Sequence, residues 1–224
     1  MSDAGNLRWE LSRLAFFSSF EPQEVESLVR TAAIEVFKPR QMLFHEGDPG
    51  GSMYVLLSGR VKVTTFSADG KECILSFVGA GEVLGEITLL DGAPRAASAC
   101  ALETTRALHI ARRDFLPALQ RNPAAALHIM GVLCERLRAT SRLVEDTVFL
   151  AAAPRLARAL LRLASGEAGA VKLPQGALGA HVGLMRESVN RQLKMWEEAG
   201  VVSTGAEGVA ILKRDVLEDI AELG

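Results

Sequence analysis

GEITLLDGAPRAASA, running from Gly85 to Ala99, places one glutamate and one arginine among glycines, a proline and small apolar residues. The segments on either side read as buried core. Gly85 lets backbone come close to another group. The turn from Ile87 to Leu90 can offer free N–H groups to an anion. Arg95 brings a planar, permanently charged fork of donors. Glu86, when ionised, only accepts hydrogen bonds and so suits a hydroxyl. An internal Glu86–Arg95 ion pair tying a loop is the competing reading. The spacing of glycine, proline and small residues favours an anion site.

Working outward, residues 34–110 hold the short β-branched or aromatic runs IEVF, MYVLL, VKVTTF, CILSFV and ALHI. Gly47, Gly50, Gly51, Gly59, Gly70, Gly79, Gly81 and Gly92 punctuate them. Many short strands with turn signals at this spacing predict an antiparallel sandwich or barrel. ADG at 68–70 suits a hairpin turn. Ahead of the strands, residues 7–30 read as helical, with Trp9, Leu11, Leu14, Phe17, Val25 and Leu28 as apolar faces. Pro22 suits the first position of a second helix.

The chain has 224 residues, 49% of them hydrophobic, and a formal charge of -2. That length suits two domains, and the charge leaves no global basic field, so any nucleic-acid contact must be local. No apolar run reaches the roughly 18 residues of a membrane span. The first residues lack the pattern of a signal peptide, so a cytoplasmic location is expected. Cys73, Cys100 and Cys134 are far apart and form no CxxC pair, which argues against a disulfide framework or a structural metal. No metal–carboxylate cluster or nucleophile–base pair suggests an enzyme.

Between Arg113 and Leu150 the one glycine is Gly131, and residues 124–150 read as one long helix. Leu127, Met130, Cys134, Leu137, Ser141, Val144 and Val148 recur in steps of three and four, a heptad seam that predicts a paired helix and a homodimer. AAAPR at 151–155 interrupts it, and Pro154 is expected at the first position of the next helix. The predicted domains are therefore 1–123, the helix and hinge 124–150, and 151–224. In the last, QGALGAHVGLMRESVNRQLKMWEEAGVV has a helix-turn-helix rhythm, with Gly183 at the tight turn and Gly200 closing the second helix. Val189, Leu193 and Trp196 face inward. Arg186, Glu187, Asn190 and Arg191 lie outward near the helix start, and Arg and Glu are side chains that read guanine and cytosine edges. From Leu150 on, nine basic residues balance nine acidic ones, so affinity for double-stranded DNA depends on a focused surface and on two copies.

HVGLMRESVNRQLKMWEEAGVV resembles the recognition segment of the CRP/FNR family of bacterial transcription regulators, in particular its catabolite-activator branch, through R-E-x-x-x-R on Arg186, Glu187 and Arg191. The resemblance covers nearly the whole chain. It implies an α+β fold: an N-terminal, jelly-roll-like β-roll that binds a cyclic nucleotide, a long dimerisation helix and a C-terminal winged helix-turn-helix. It implies a palindromic site with TGTGA-like half-sites. GEITLLDGAPRAAS then resembles the family's phosphate-binding cassette, with Arg95 on the cyclic phosphate and Glu86 on the ribose 2′-hydroxyl. Ser76, Val63 and Val78 match the pocket. ERLRATS resembles the base-contacting segment, with Arg136, Leu137, Thr140 and Ser141 matching by type. Thr140 is implied to contact adenine in its own subunit, and Ser141 to reach adenine across the dimer.

Ala96 stands where cyclic-GMP sites carry threonine, which favours cAMP over cGMP. The alternatives are a regulator of the same fold that senses cyclic di-GMP or cGMP, or one that needs no ligand. The first cysteine, Cys73, comes too late for an iron–sulfur sensor. His45, His109 and His128 are isolated and read as surface or satisfied histidines, not haem ligands. His181 reads as structural or near phosphate. The resemblance places a contact with RNA polymerase in the loop SGEAGAVK.

Three departures stand out. Pro174, Gly176 and Gly179 occupy the first helix of the DNA motif, where each interior glycine costs up to about 1 kcal/mol. Met185 stands in place of a capping serine. AAAPR lacks an aspartate usual at the hinge. The first two predict weaker DNA contact, or a helix that orders on binding.

Overall fold

The computed structural model describes Leu11 and residues 14–164, 169–205 and 208–223. Trp9 and the first half of the loop SGEAGAVK, residues 165–168, lie outside these residues. The chain divides into two compact units, one of residues 1–66 and 75–137, the other of residues 67–74 and 138–224.

The first unit is built on two antiparallel four-stranded sheets. One has the order β1 (Ala33–Phe37), β8 (Thr105–Ala111), β3 (Ser52–Ser58), β6 (Val83–Leu84). The other runs β2 (Met42–Phe44), β7 (Ser98–Ala101), β4 (Arg60–Phe66), β5 (Glu72–Gly79). The expected runs became β1, β3, β4, β5 and β8. Period-two alternation explains how the central strand β3 serves two cores. Tyr54 and Leu56 join Phe37, Val61, Val78, Leu84 and Ala99 in a cluster drawn from both sheets. Met53 and Val55 enter a second cluster with Leu108, Ile110 and the helices.

Those helices are α1 (Pro22–Thr31), the short α2 (Glu86–Asp91), α3 (Arg112–Arg121) and the start of α4 (Pro123–Phe149). Val25, Leu28, Leu89, Phe115, Ala125 and Ile129 supply their buried faces. Full burial of one such large side chain contributes about 1.5–3 kcal/mol. Of the helical stretch expected over residues 7–30, the described part holds a 3-10 turn at Ala15–Phe17 ahead of α1. Pro22 does open α1. Ser67 closes the hairpin at 68–70 by a bond from its backbone N–H to the Lys71 carbonyl (3.0 Å).

α4 is one helix of 27 residues. Its seam residues Leu127, Met130, Leu137, Val144 and Val148 are all exposed in the single chain. The second unit continues with α5 (Ala152–Leu163), α6 (Gln175–Val182), α7 (Arg186–Glu198) and α8 (Arg214–Glu222). A small sheet of order β10 (Val202–Gly205), β11 (Gly208–Ile211), β9 (Ala170–Val171) completes it. Leu156, Leu160, Leu178, Val189, Leu193, Trp196 and Leu217 are buried. Pro154 corrects the expectation: α5 starts two residues earlier, at Ala152. Proline is still tolerated there, because first-turn N–H groups have no intrahelical acceptor.

Gly179 also reads differently in three dimensions. A Cβ there would stand 2.8 Å from the Leu184 carbonyl oxygen, so glycine is what lets α6 approach the turn into α7. α6 is formed from Gln175 to Val182.

Candidate functional site

The strands and turns around 85–99 bury a cation without a matching carboxylate. Arg95 is only 5% exposed. Its backbone is fixed first: the Arg95 N–H donates to Asp48 O and the Gly47 N–H donates to Arg95 O, both at 2.8 Å. Arg95 Nη1 then donates to Gly85 O (3.1 Å) and Thr88 Oγ1 (2.8 Å), and Nη2 to Ser52 Oγ (3.1 Å). The guanidinium also lies 4.2 Å above the centre of the Phe44 ring, and Phe44 stacks on Tyr54. Nε is buried without a partner. Burial pulls the Arg95 pKa down, and Tyr54, Asp48 and Glu86 oppose that pull. Tyr54 is held neutral, its pKa pushed up to about 12 mainly by burial and then by Glu35. All of Arg95's direct hydrogen-bond partners are neutral, so no carboxylate occupies the fork that an incoming anion would meet.

Glu86, at 1% exposure, is the other buried charge. It does not pair with Arg95. Its partner is Arg136 of α4, whose Nη1 bonds Glu86 Oε1 and whose Nη2 bonds the Val83 carbonyl. Glu86 Oε2 has no partner. The site thus holds an acceptor oxygen and a donor nitrogen, both buried and both unused.

Gly85 joins these parts. It caps α2 with φ 81°, in the left-handed region, and an added Cβ would meet Arg95 Nη1 at 2.3 Å. Ile87 and Ala96 are exposed on either side of the buried pair. Val78 and half-buried Val63 belong to the cluster drawn from both sheets. Ser76 shares the parity of Val78 on β5 yet is exposed, so its hydroxyl is accessible. Leu137 is an exposed residue of the first unit. Thr140 and Ser141, also exposed, belong to the second. Sequence reasoning missed Ser52, Thr88 and Phe44, which hold Arg95 in place. Thr88 lies within the 85–99 stretch itself, whereas Ser52 and Phe44 sit in no motif and only the strand order brings them to Arg95.

The histidines fare unevenly. The His109 ring lies 5.1 Å from that of Tyr54, tilted by 55°. His128 corrects the expectation of a satisfied histidine, because its Nε2 is buried without a hydrogen-bond partner. His181 shares a hydrogen bond through Nδ1 with the Ile74 carbonyl (3.0 Å), and burial lowers its pKa.

In the second unit Arg186, Glu187, Asn190 and Arg191 are all exposed at the start of α7. Val189, Leu193 and Trp196 anchor its opposite face. Met185 precedes the helix, exposed and without a side-chain capping bond. Glu197 accepts from both the backbone N–H (2.7 Å) and Oγ1 (2.9 Å) of Thr204, tying α7 to β10. Asp146, buried on α4, is bonded by Arg158 and Arg162 of α5. Arg155 donates to the Leu150 carbonyl (2.8 Å) and the Val182 carbonyl (3.1 Å), and so satisfies the ends of two helices.

Comparison with known proteins bears on both halves. Residues 34–122 match the family described as Cyclic nucleotide-binding domain, and residues 154–220 match the Crp-like helix-turn-helix domain. The Cyclic AMP receptor protein of Thermus thermophilus is 33% identical over 92% of this chain and 95% of its own. The CRP-like cAMP-activated global transcriptional regulator of Mycobacterium tuberculosis is 30% identical over 90% of this chain and 93% of its own. Among solved structures, FixK2 of Bradyrhizobium japonicum superposes with a TM-score of 0.79 at 22% identity, covering 87% of this chain and 99% of that one. The Thermus thermophilus Catabolite Activator Protein gives 0.53 at 33% identity, covering 92% and 98%. A nucleotide-binding roll followed by a Crp-like reader, matched along almost all of a cyclic AMP receptor protein, means that the chain belongs to the CRP/FNR family of DNA-binding transcription regulators and is not an enzyme.

Proposed function

We propose that the protein is a homodimeric transcription regulator whose effector is cAMP and whose target is a palindrome of TGTGA-like half-sites. The observation that carries the effector is the buried Arg95 guanidinium, with no carboxylate partner and an unused Nε, beside the unused Glu86 Oε2. Arg95 takes the cyclic phosphate. Glu86 Oε2 accepts from the ribose 2′-hydroxyl, while Arg136 keeps Oε1. Gly85, Ile87 and Ala96 border the phosphate, and Ser76, Val63, Val78 and Leu137 the remainder of the nucleotide. Thr140 and Ser141 are assigned to the adenine on the resemblance, and Ser141 also on its place along the α4 seam.

Residues 1–123 serve as the sensor, 124–150 as the pairing helix and hinge, and 151–224 as the reader. The exposed apolar stripe on α4 supports pairing, because covering it removes five large hydrophobic side chains from water. Arg186 and Arg191 are assigned to guanines, Glu187 to a cytosine and Asn190 to a neighbouring base edge. Double-stranded DNA in the cytoplasm is the partner, with RNA polymerase a further one. Nucleotide acts by binding one arrangement of the protein better than another and so shifting their populations.

A second reading, a regulator that needs no ligand, is favoured by one observation. Arg136 already neutralises Glu86. Calorimetric titration with cAMP, beside Arg95→Met, separates the two. Saturable heat that the substitution abolishes supports the first. No heat from the wild type, with DNA still bound in a gel shift, supports the second.

A further inference from the structure

Arg112 lies outside every motif read from the sequence. It stands at the first position of α3, half-buried. Its backbone N–H donates to Gly51 O at 2.8 Å. Its side chain turns toward α2: Nε donates to the Leu89 carbonyl at 2.7 Å and Nη2 to the Leu90 carbonyl at 3.3 Å.

A helix of six residues does not set its own geometry. No side chain caps the start of α2, and Gly85, its N-cap, supplies only its backbone carbonyl, to the Leu89 N–H. External groups must therefore fix its axis and its rotation. The Leu89 side chain, fully buried in the core, is one such anchor. Arg95 is the second, gripping Gly85 O and Thr88 Oγ1 at the start. Arg112 is the third, and the only guanidinium at the far end among the described residues. A cation suits the carbonyl end of a helix, and one planar fork that meets two successive carbonyls resists twisting better than a single bond. Glu86 lies on the first turn of this helix, so a twist of α2 carries its carboxylate away from Arg95.

We infer that Arg112 is a positioning residue for nucleotide capture: it acts through α2, holding Glu86 and Arg95 in one shared geometry. This rests on the reading of 85–99 as a nucleotide site.

The test compares wild-type protein with Arg112→Met, Arg112→Lys and Arg113→Ala, the last an exposed neighbour. Each is titrated calorimetrically with cAMP, melted, and followed by amide exchange without ligand. Arg112→Met is expected to bind about tenfold more weakly, the worth of one lost charge-assisted bond. Exchange should rise over residues 86–92 and stay unchanged over β8. Arg112→Lys, which keeps the charge without the fork, should recover part of the affinity. Arg113→Ala should match the wild type. Arg112→Met binding as tightly as the wild type overturns the inference while leaving the nucleotide reading intact. Weaker binding with exchange raised throughout β8 and α3 also overturns it, because the loss is then one of fold. A wild type that gives no heat overturns the nucleotide reading itself, and this inference with it.

Discussion

Replacing Gly85 by alanine strikes the site at its tightest point. The new Cβ would lie 2.3 Å from Arg95 Nη1, and ordinary contact begins at 3.4 Å, so the guanidinium must retreat by about 1 Å. Nη1 holds Gly85 O at 3.1 Å and Thr88 Oγ1 at 2.8 Å, and a retreat of that size takes both past hydrogen-bond range. Forcing alanine to the φ of 81° seen at Gly85 costs about 1–2 kcal/mol. Loss of a charge-assisted bond at a buried cation adds about 2 kcal/mol. Gly70 supplies the control, because its φ is also +81° and a Cβ there meets nothing within 4 Å. At roughly 2–4 °C per kcal/mol for a chain of this size, Gly85→Ala should melt about 10 °C lower and Gly70→Ala about 3 °C lower. Calorimetric titration with cAMP should show Gly85→Ala weakened by at least tenfold and Gly70→Ala unchanged. If the two variants bind alike, the seat of Arg95 is not what captures the anion.

Three further outcomes follow from the second unit and the seam. Arg158→Ala with Arg162→Ala should destabilise more than Asp146→Asn in thermal melts. The double variant strands a buried carboxylate, at about 3–5 kcal/mol, whereas the asparagine leaves two part-exposed arginines that water can solvate. Thr204 holds the Glu197 carboxylate below its ordinary pKa. Its folded value is therefore lower than its unfolded one, so the tie is complete above the usual glutamate range and is lost as pH falls through the lowered folded value. Amide exchange at Thr204 should stay protected at neutral pH and quicken only in acid. Val144→Asp, on the exposed seam, should turn a dimer into monomers by sedimentation and abolish binding to a palindromic DNA while leaving cAMP titration of the roll measurable.

Periodic features were the legible ones. The runs IEVF and MYVLL declare β1 and β3, because alternation and branched side chains are local properties. The heptad declared α4 for the same reason. Short elements were not legible: Val83–Leu84 is a strand only because Tyr54 and Val55 lie beside it, and Ala170–Val171 only because β11 does. At the site, Glu86 and Arg95 stood out as charges in an apolar setting. What each one meets did not. Arg136 follows Glu86 by 50 residues, and Ser52 precedes Arg95 by 43. Nothing local to either segment encodes such partners. Gly179 looked like a weak point because helix propensity is scored along the chain, while the reason for it, the Leu184 carbonyl, is a matter of packing.

Arg155 reaches Leu150 and Val182 through their backbone carbonyl oxygens, and every residue type carries a carbonyl. The clamp therefore places no demand on the side chains at either helix end, nor on the exposed ones at the start of α7 that we assign to DNA. Over evolutionary time such a reader can exchange its base-contacting residues, and so its target sites, without rebuilding the frame that aims them. In this chain the wiring of the scaffold and the spelling of the operator are separately heritable.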